Sequence, residues 1–393
     1  MASTQIETAR AQGLAAAQSL QGDNPGTSSN GQMWRDHAHE MAQLLGWPTE
    51  KLVSQVVAFH RERLDAVPDL TRYPELRGYR DRLQAQEDGM RAGGVSDEMI
   101  ALSKSFNFWR DTRLVEESGY VWSVSAIPHA ATTEKCRVLY MADSDRGALR
   151  LKNVDDPLTY WQTQPPIRHC SPWPEKHPLS FDGVGSGLFL DEAPQEIFPV
   201  NAHELCREHC TTLDEATEFM VRYNYFWEGQ NLIIHDENGN SMAFEKTRCR
   251  VAVRKPNAQG INFITGMGAL DPEIAAFQKS CRQRYLDQTG QGWDDSPEGL
   301  FFTLSENTWK NMARYVDELS LSPTWNNAQQ LMEQRDRSGP MCLTGEKLHP
   351  DETVTGCTLI MNYLELDNRK LHRRQWRGDI PAYLDTPEVV QFA

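Results

Sequence analysis

Long apolar runs are missing from this 393-residue chain, and no stretch reaches the ~18 consecutive apolar residues that a membrane-crossing helix requires. The segment from Met1 to Asn30 carries one arginine and no sustained apolar core, so a secretory signal is not expected there. Positive charge is in deficit: 40 Lys and Arg stand against 55 Asp and Glu, a formal charge of −15. That balance disfavours nucleic acid and anionic membranes as partners. Cysteine pairing signals are absent as well. The 8 cysteines are spread over the chain without a Cys-x-x-Cys pair, which reads as reduced thiols rather than a disulfide framework. Together these absences lead us to expect a cytoplasmic protein acting on a small molecule, with neither a nucleic-acid nor a membrane partner.

What is present divides the chain into zones. Hydrophobic residues make up 39% of it and there are 11 Trp, enough for a large core. Residues 1–30 are rich in Ala, Gln, Ser and Gly with Asn-Pro-Gly and Ser-Ser-Asn-Gly punctuation, a composition read as a disordered leader. From Met33 to about Glu117 the apolar spacing is helical, with breaks at Gly46-Trp47-Pro48 and Pro68. Beyond residue 136 strands and helices segregate. Asn231–His235 and Ser241–Glu245 flank Asn238-Gly239, a strong hairpin signal, and Arg250–Arg254 and Ile261–Thr265 follow as further strands. Thr212-Leu-Asp-Glu215 is a capping box, and the segments 355–362 and 370–376 read as a last strand pair. The fold class is therefore α+β.

Chemistry concentrates at Cys136. It opens a strand, a polar turn at Gly147, and a return strand ending in Lys152, Asn153 and Asp155. A cysteine that becomes the first residue of a chain carries its own base, because a free α-amino group titrates near ~8. A cation returned beside it favours the thiolate, and a carboxylate can hold the ammonium. The competing reading is a buried structural cysteine in an ordinary hairpin.

The order of further motifs carries a resemblance. Cys210-Thr-Thr-Leu-Asp-Glu-Ala216, Tyr223-Asn-Tyr225, Asn231–Gly239, Ala243-Phe-Glu245 and Arg250–Arg254 together resemble the acyl-coenzyme A:6-aminopenicillanate acyltransferase family of N-terminal-nucleophile hydrolases. The resemblance implies a four-layer αββα fold preceded by a helical pro-segment. Residues 31–135 would then form an α chain and 136–393 a catalytic β chain, divided by self-cleavage between Lys135 and Cys136. It implies catalysis through an acyl-Cys136 intermediate on a small-molecule amide or acyl-CoA-like thioester, with Lys152, Asn153 and Asp155 as the supporting residues. Two departures stand out. Lys135 occupies a position that is commonly glycine in the family, and the family's Thr-Asn-His, which provides the oxyanion donor, is here Thr265-Gly266-Met267. The oxyanion role therefore falls to Thr265, to Gly266 or a neighbouring amide, or to Asn262, itself expected on an exposed strand face. The alternative is an uncleaved, non-catalytic binding or scaffold member of the same fold.

Other clusters carry less. His203, Cys206, His209 and Cys210 have metal-ligand spacing, but three of them fall on one helix face and no second Cys/His pair follows. No metal and no cofactor are expected. Trp161, Trp173 and Trp227 are candidates for an apolar acyl pocket.

Overall fold

The computed structural model describes residues 2–21, 31–65, 75–118, 121–122, 136–157, 178–185, 189–190, 202–222, 230–247, 250–266, 269–289, 297–346 and 356–392. Lys135, Trp161, Trp173, Trp227 and Met267 lie outside them. The chain forms two compact units, Met1–Val121 with Glu192–Asn201, and Trp122–Asp191 with Ala202–Ala393.

Helices make up the first unit: α1 (Ala2–Gln21), α2 (Gly31–Leu44), α3 (Thr49–Asp65), α4 (Glu75–Ala92) and α5 (Asp97–Ser118). Helix α1 replaces the disordered leader expected over residues 1–30. Its composition is poor in large apolar groups, but its small residues are spaced for close contact. Ala9, Gly13, Ala17 and Leu20 recur at helical intervals and are buried, and α1 packs along α4. The backbones come together because there is no Cβ between them. One built on Gly13 would lie 1.9 Å from the Gln86 carbonyl oxygen, and one on Gly89 would lie 2.1 Å from that of Arg10. Composition indicates too little apolar surface for order, whereas the backbone-level fit of two small-residue stripes supplies dense dispersion contact instead.

Two main sheets build the second unit. The hairpin after Cys136 consists of β1 (Arg137–Met141) and β2 (Leu149–Pro157), turned at Gly147 with φ +79. A side chain at Gly147 would collide with the Asp367 carboxylate. Next come β3 (Leu179–Gly185), α6 (Ala202–His209), α7 (Leu213–Arg222), and the strands β4 (Gln230–Asp236), β5 (Ser241–Lys246), β6 (Val251–Arg254) and β7 (Ile261–Thr265). Helices α8 (Pro272–Thr289), α9 (Pro297–Ser320) and α10 (Trp325–Met332) follow, then β8 (Gly356–Glu365), β9 (Lys370–Gln375) and β10 (Glu388–Gln391). The six-stranded sheet runs β10-β9-β8-β2-β1-β7 and the four-stranded sheet β3-β4-β5-β6, with antiparallel neighbours throughout. The Asn238-Gly239 turn and the Thr212/Glu215 box form as their sequence signals require.

Strand alternation sorts the core. Leu139, Met141, Leu149, Leu151 and Phe263 face α9 and α10, where they meet Trp309, Met312 and Trp325. Val138, Tyr140 and Ile264 face the second sheet and meet Val184, Ile233 and Ala243. On the far side of that sheet, Lys246 reaches the Met220 carbonyl of α7 at 3.2 Å. Strand β1 is thus buried on both faces.

The helix contact is testable. Gly89→Leu forces α1 and α4 apart and is expected to cost roughly 1–3 kcal/mol. Gly78→Ala, whose Cβ meets nothing closer than Arg82 Nη1 at 3.6 Å, is expected to be neutral or stabilising by about 0.5–1 kcal/mol. Thermal unfolding of the two variants checks the contrast.

Candidate active site

Six cysteines fall among the described residues, and five of them are buried. Burial and then the neighbouring Cys210 push the Cys206 thiol far up, and burial pushes Cys342 up to about 12. Cys136 is the exception. It is only half-buried and packs at the edge of the cluster between the two sheets. It lies immediately before β1, so backbone pairing fixes its position: its carbonyl accepts from the Gly266 amide at 2.8 Å.

The hairpin register returns the expected partners to this level, with Arg137 across from Asn153. Pleating then divides them between two faces, because successive side chains of a strand point to opposite sides. Lys152 shares the inter-sheet face with Cys136. Its ammonium donates to the Gly183 carbonyl at 3.0 Å and stands 3.8 Å from Asp182 Oδ1. Asp182 also meets Arg150 at 2.6 Å. Burial pushes the Asp182 carboxyl up, but Arg150 and then Lys152 outweigh it and hold it below the usual carboxylate range.

Asn153 and Asp155 occupy the helix-facing side. Asn153 is fully buried, donates to the carbonyls of Met332 and Met341 at 2.8 Å each, and accepts from Tyr363 Oη at 3.3 Å. Its amide thus ties the end of α10 to the sheet. The Asp155 carboxylate pairs with the buried Arg137 guanidinium and accepts from Thr358 Oγ1 at 2.6 Å. Thr358 Oγ1 in turn accepts from the Leu343 amide at 2.8 Å. The carboxylate is therefore held in one orientation beside the ladder's end.

The three oxyanion candidates have their donors committed elsewhere. The Gly266 amide is bonded to Cys136, and Thr265 Oγ1 donates to the Gly266 carbonyl at 3.1 Å. Asn262 is buried rather than exposed: its side-chain oxygen accepts from Arg254 Nη1 at 2.8 Å, and its amide nitrogen donates to Ser241 Oγ and to the Arg254 carbonyl at 3.4 Å each. It pairs with Tyr140, about 13 Å along the strand from Cys136 at ~3.3 Å per residue.

Sequence reasoning missed Arg137, Asp182, Thr358 and Asn231. Asn231 is fully buried and donates to the Thr265 carbonyl at 2.8 Å, bridging β4 to β7 beside the level of Cys136. The signal for Arg137 lay in the hairpin itself: a charge in an apolar strand two residues short of perfect register with Asp155 demands a partner. Asp182 and Thr358 belong to distant segments, and no local pattern joins them. Cys206 and Cys210 are both buried, and among the described residues no three potential ligands converge on a metal position.

No family model matches the sequence, and no curated protein sequence matches it. Among solved structures, two variants of the conjugated bile acid hydrolase from Clostridium perfringens align at 11% identity each. The alignments cover 66% and 67% of this chain and 88% and 90% of those chains, with TM-scores of 0.32 and 0.28.

Removing the Asn153 amide by Asn153→Ala strands two buried carbonyls and is expected to cost about 2 kcal/mol, read from chemical denaturation. A pH effect is also expected. Burial, then Arg150, pushes the His235 imidazole down to about 4, below its ordinary 6.5. The unfolded chain therefore binds the proton first. Stability from this group is complete above pH 6.5 and is lost as pH falls through 4, a change on the order of 3 kcal/mol. Hydrogen exchange of β4 amides should report that loss, and His235→Phe should flatten it.

Proposed function

We propose that this protein is a cysteine amidohydrolase or acyltransferase of the N-terminal-nucleophile type, with Cys136 as nucleophile. The carrying observation is that Cys136 is the described cysteine that is not buried, at the head of the central hairpin with Lys152 on its own face. Continuing the ladder one step sets Cys136 across from Val154, so Asp155 stands one residue beyond, where a chain beginning at Cys136 would offer its ammonium. Its carboxylate is oriented for that role by Arg137 and Thr358.

In this reading the succession of helices, six-stranded sheet, four-stranded sheet and helices is the αββα arrangement, and the helical unit belongs to the pro-segment. Cys136 Sγ attacks the Lys135 carbonyl, the acyl group moves from nitrogen to sulfur, and water releases it. The freed α-amino group, titrating near ~8, then takes the thiol proton for attack on a substrate amide or acyl thioester. The acyl-Cys136 intermediate passes to water or an amine. Lys152 supplies the cation beside the thiolate. Asn153 acts through packing, since its amide hydrogens are spent on the Met332 and Met341 carbonyls.

A second reading, an uncleaved binding module of the same fold, is favoured by the committed donors of Thr265, Gly266 and Asn262. Loss of an oxyanion donor costs on the order of 10² to 10³ in rate.

Intact mass of wild type beside Cys136→Ala separates the two. Fragments ending at Lys135 and beginning at Cys136, absent in the variant, are expected; a wild type remaining at 44.8 kDa supports the binding module. In processed enzyme, Lys152→Gln is expected to lower kcat roughly 10²-fold on an amide substrate and to lower Tm by only about 2–4 °C.

A further inference from the structure

The sheet sandwich is open at one end. At the end of β1 away from Cys136, a cavity of about 530 Å³ lies between the β4–β5 turn, the start of β3 and the β8–β9 turn. All of it belongs to the sheet-bearing unit. Tyr140 and His235 line it, their rings stacked at 4.8 Å and 22°. Both side chains are more than nine-tenths buried, 0% and 5% exposed. Neither Tyr140 Oη nor His235 Nε2 has a hydrogen-bond partner among the described residues. Two such unpartnered atoms on residues that line one cavity are a costly arrangement unless something polar meets them, since each unmade bond costs about 1–3 kcal/mol.

Charge selects what that is. Asp236, Glu237 and Asp367 line the cavity against a single cation, Arg369. Hydrogen bonds fix the carboxylates. Asp236 accepts from the Asn238 and Asn240 amides at 2.9 Å each, and Asp367 accepts from the Ala148 amide at 2.9 Å. The positive charge of Arg150, behind His235, is offset by Asp182 at 2.6 Å. Burial first, then Asp236 and Asp367, push the Tyr140 phenol up, so it remains a neutral hydroxyl. His235 is neutral at physiological pH for the reason given above, and in the tautomer with Nδ1 protonated its Nε2 is an acceptor. An anion is repelled by this rim. A metal ion is not served either, because no three ligating groups converge among the described residues.

We propose that this cavity is a binding site for a small molecule bearing a primary ammonium group, which donates to Tyr140 Oη and His235 Nε2 while the Asp236, Glu237 and Asp367 carboxylates supply the field. Ala142, Ala148, Pro178 and Leu366 form apolar wall for the carbon chain of such a ligand. The site is about 13 Å along β1 from Cys136 and stands apart from any chemistry there.

Calorimetric titration of the full-length protein with 1,4-diaminobutane at physiological ionic strength tests it, with 1,4-butanediol and succinate as uncharged and anionic controls. Saturable one-to-one binding of the diamine alone is expected. Tyr140→Phe, which keeps the ring stack, should weaken it about 10-fold or more, the loss of one hydrogen bond to a charged group. Asp367→Asn should weaken it less. Absence of saturation in wild type, equal binding of diol or succinate, or unchanged binding in Tyr140→Phe overturns the proposal; the last would mean a diffuse attraction to an acidic protein. Should Tyr140→Phe not fold, the ¹⁵N resonances of the His235 imidazole in wild type decide: they shift on diamine addition, or the proposal fails.

Discussion

A strand buried on both faces leaves its polar side chains no water, and β1 is such a strand. Arg137 at its head carries a full charge with no exposed surface, so a carboxylate must come to it. Asp155 does, and Thr358 from β8 donates to that carboxylate while the Leu343 amide of the preceding loop donates to Thr358 Oγ1. That one pair draws three chain segments, far apart in sequence, to the point where Cys136 begins. Because breaking a buried pair leaves an uncompensated charge, the geometry around Cys136 is held by the same interaction that holds the sheet together.

The inter-sheet layer repeats the logic at lower intensity. Arg150 and Lys152 project from β2 into a space that would otherwise be apolar, and Asp182 answers both from β3. Beside them, Val138, Ile233 and Ala243 pack against one another. The layer is therefore mixed along its length, with the Arg150–Asp182–Lys152 cluster beside Val138 and Ile233. One end offers a thiol and an ammonium, the other two unpartnered neutral groups under an acidic rim.

The helical unit works by a different constraint. Its first helix contributes little large apolar surface, and its contact with α4 depends on glycines that allow carbonyl oxygens to occupy the space of side chains. Elsewhere in that unit, His60 Nδ1 lies 2.8 Å from Ser105 Oγ and its Nε2 lies 3.3 Å from Glu87 Oε1, which brings polar side chains of α3, α4 and α5 together inside the bundle. Close backbone approach and these polar contacts add to an apolar core that includes Leu52, Ile100 and Phe106.

Local pattern alone determined the α+β class, the two hairpins at Gly147 and Gly239, the capping box at Thr212, and the level at which Lys152, Asn153 and Asp155 return beside Cys136. Turn chemistry and period-two alternation are short-range, so nothing outside these segments was needed to read them. Which face each residue takes was decided only by the tertiary structure: pleating sends Lys152 toward the second sheet, while Asn153 and Asp155 turn to the helices. Tertiary structure likewise spent the donors of Thr265, Gly266 and Asn262, brought Asp182 and Thr358 to the site from distant segments, and ordered residues 2–21 against α4. In each case the deciding energy is a contact between groups far apart in the chain, which no window of sequence contains.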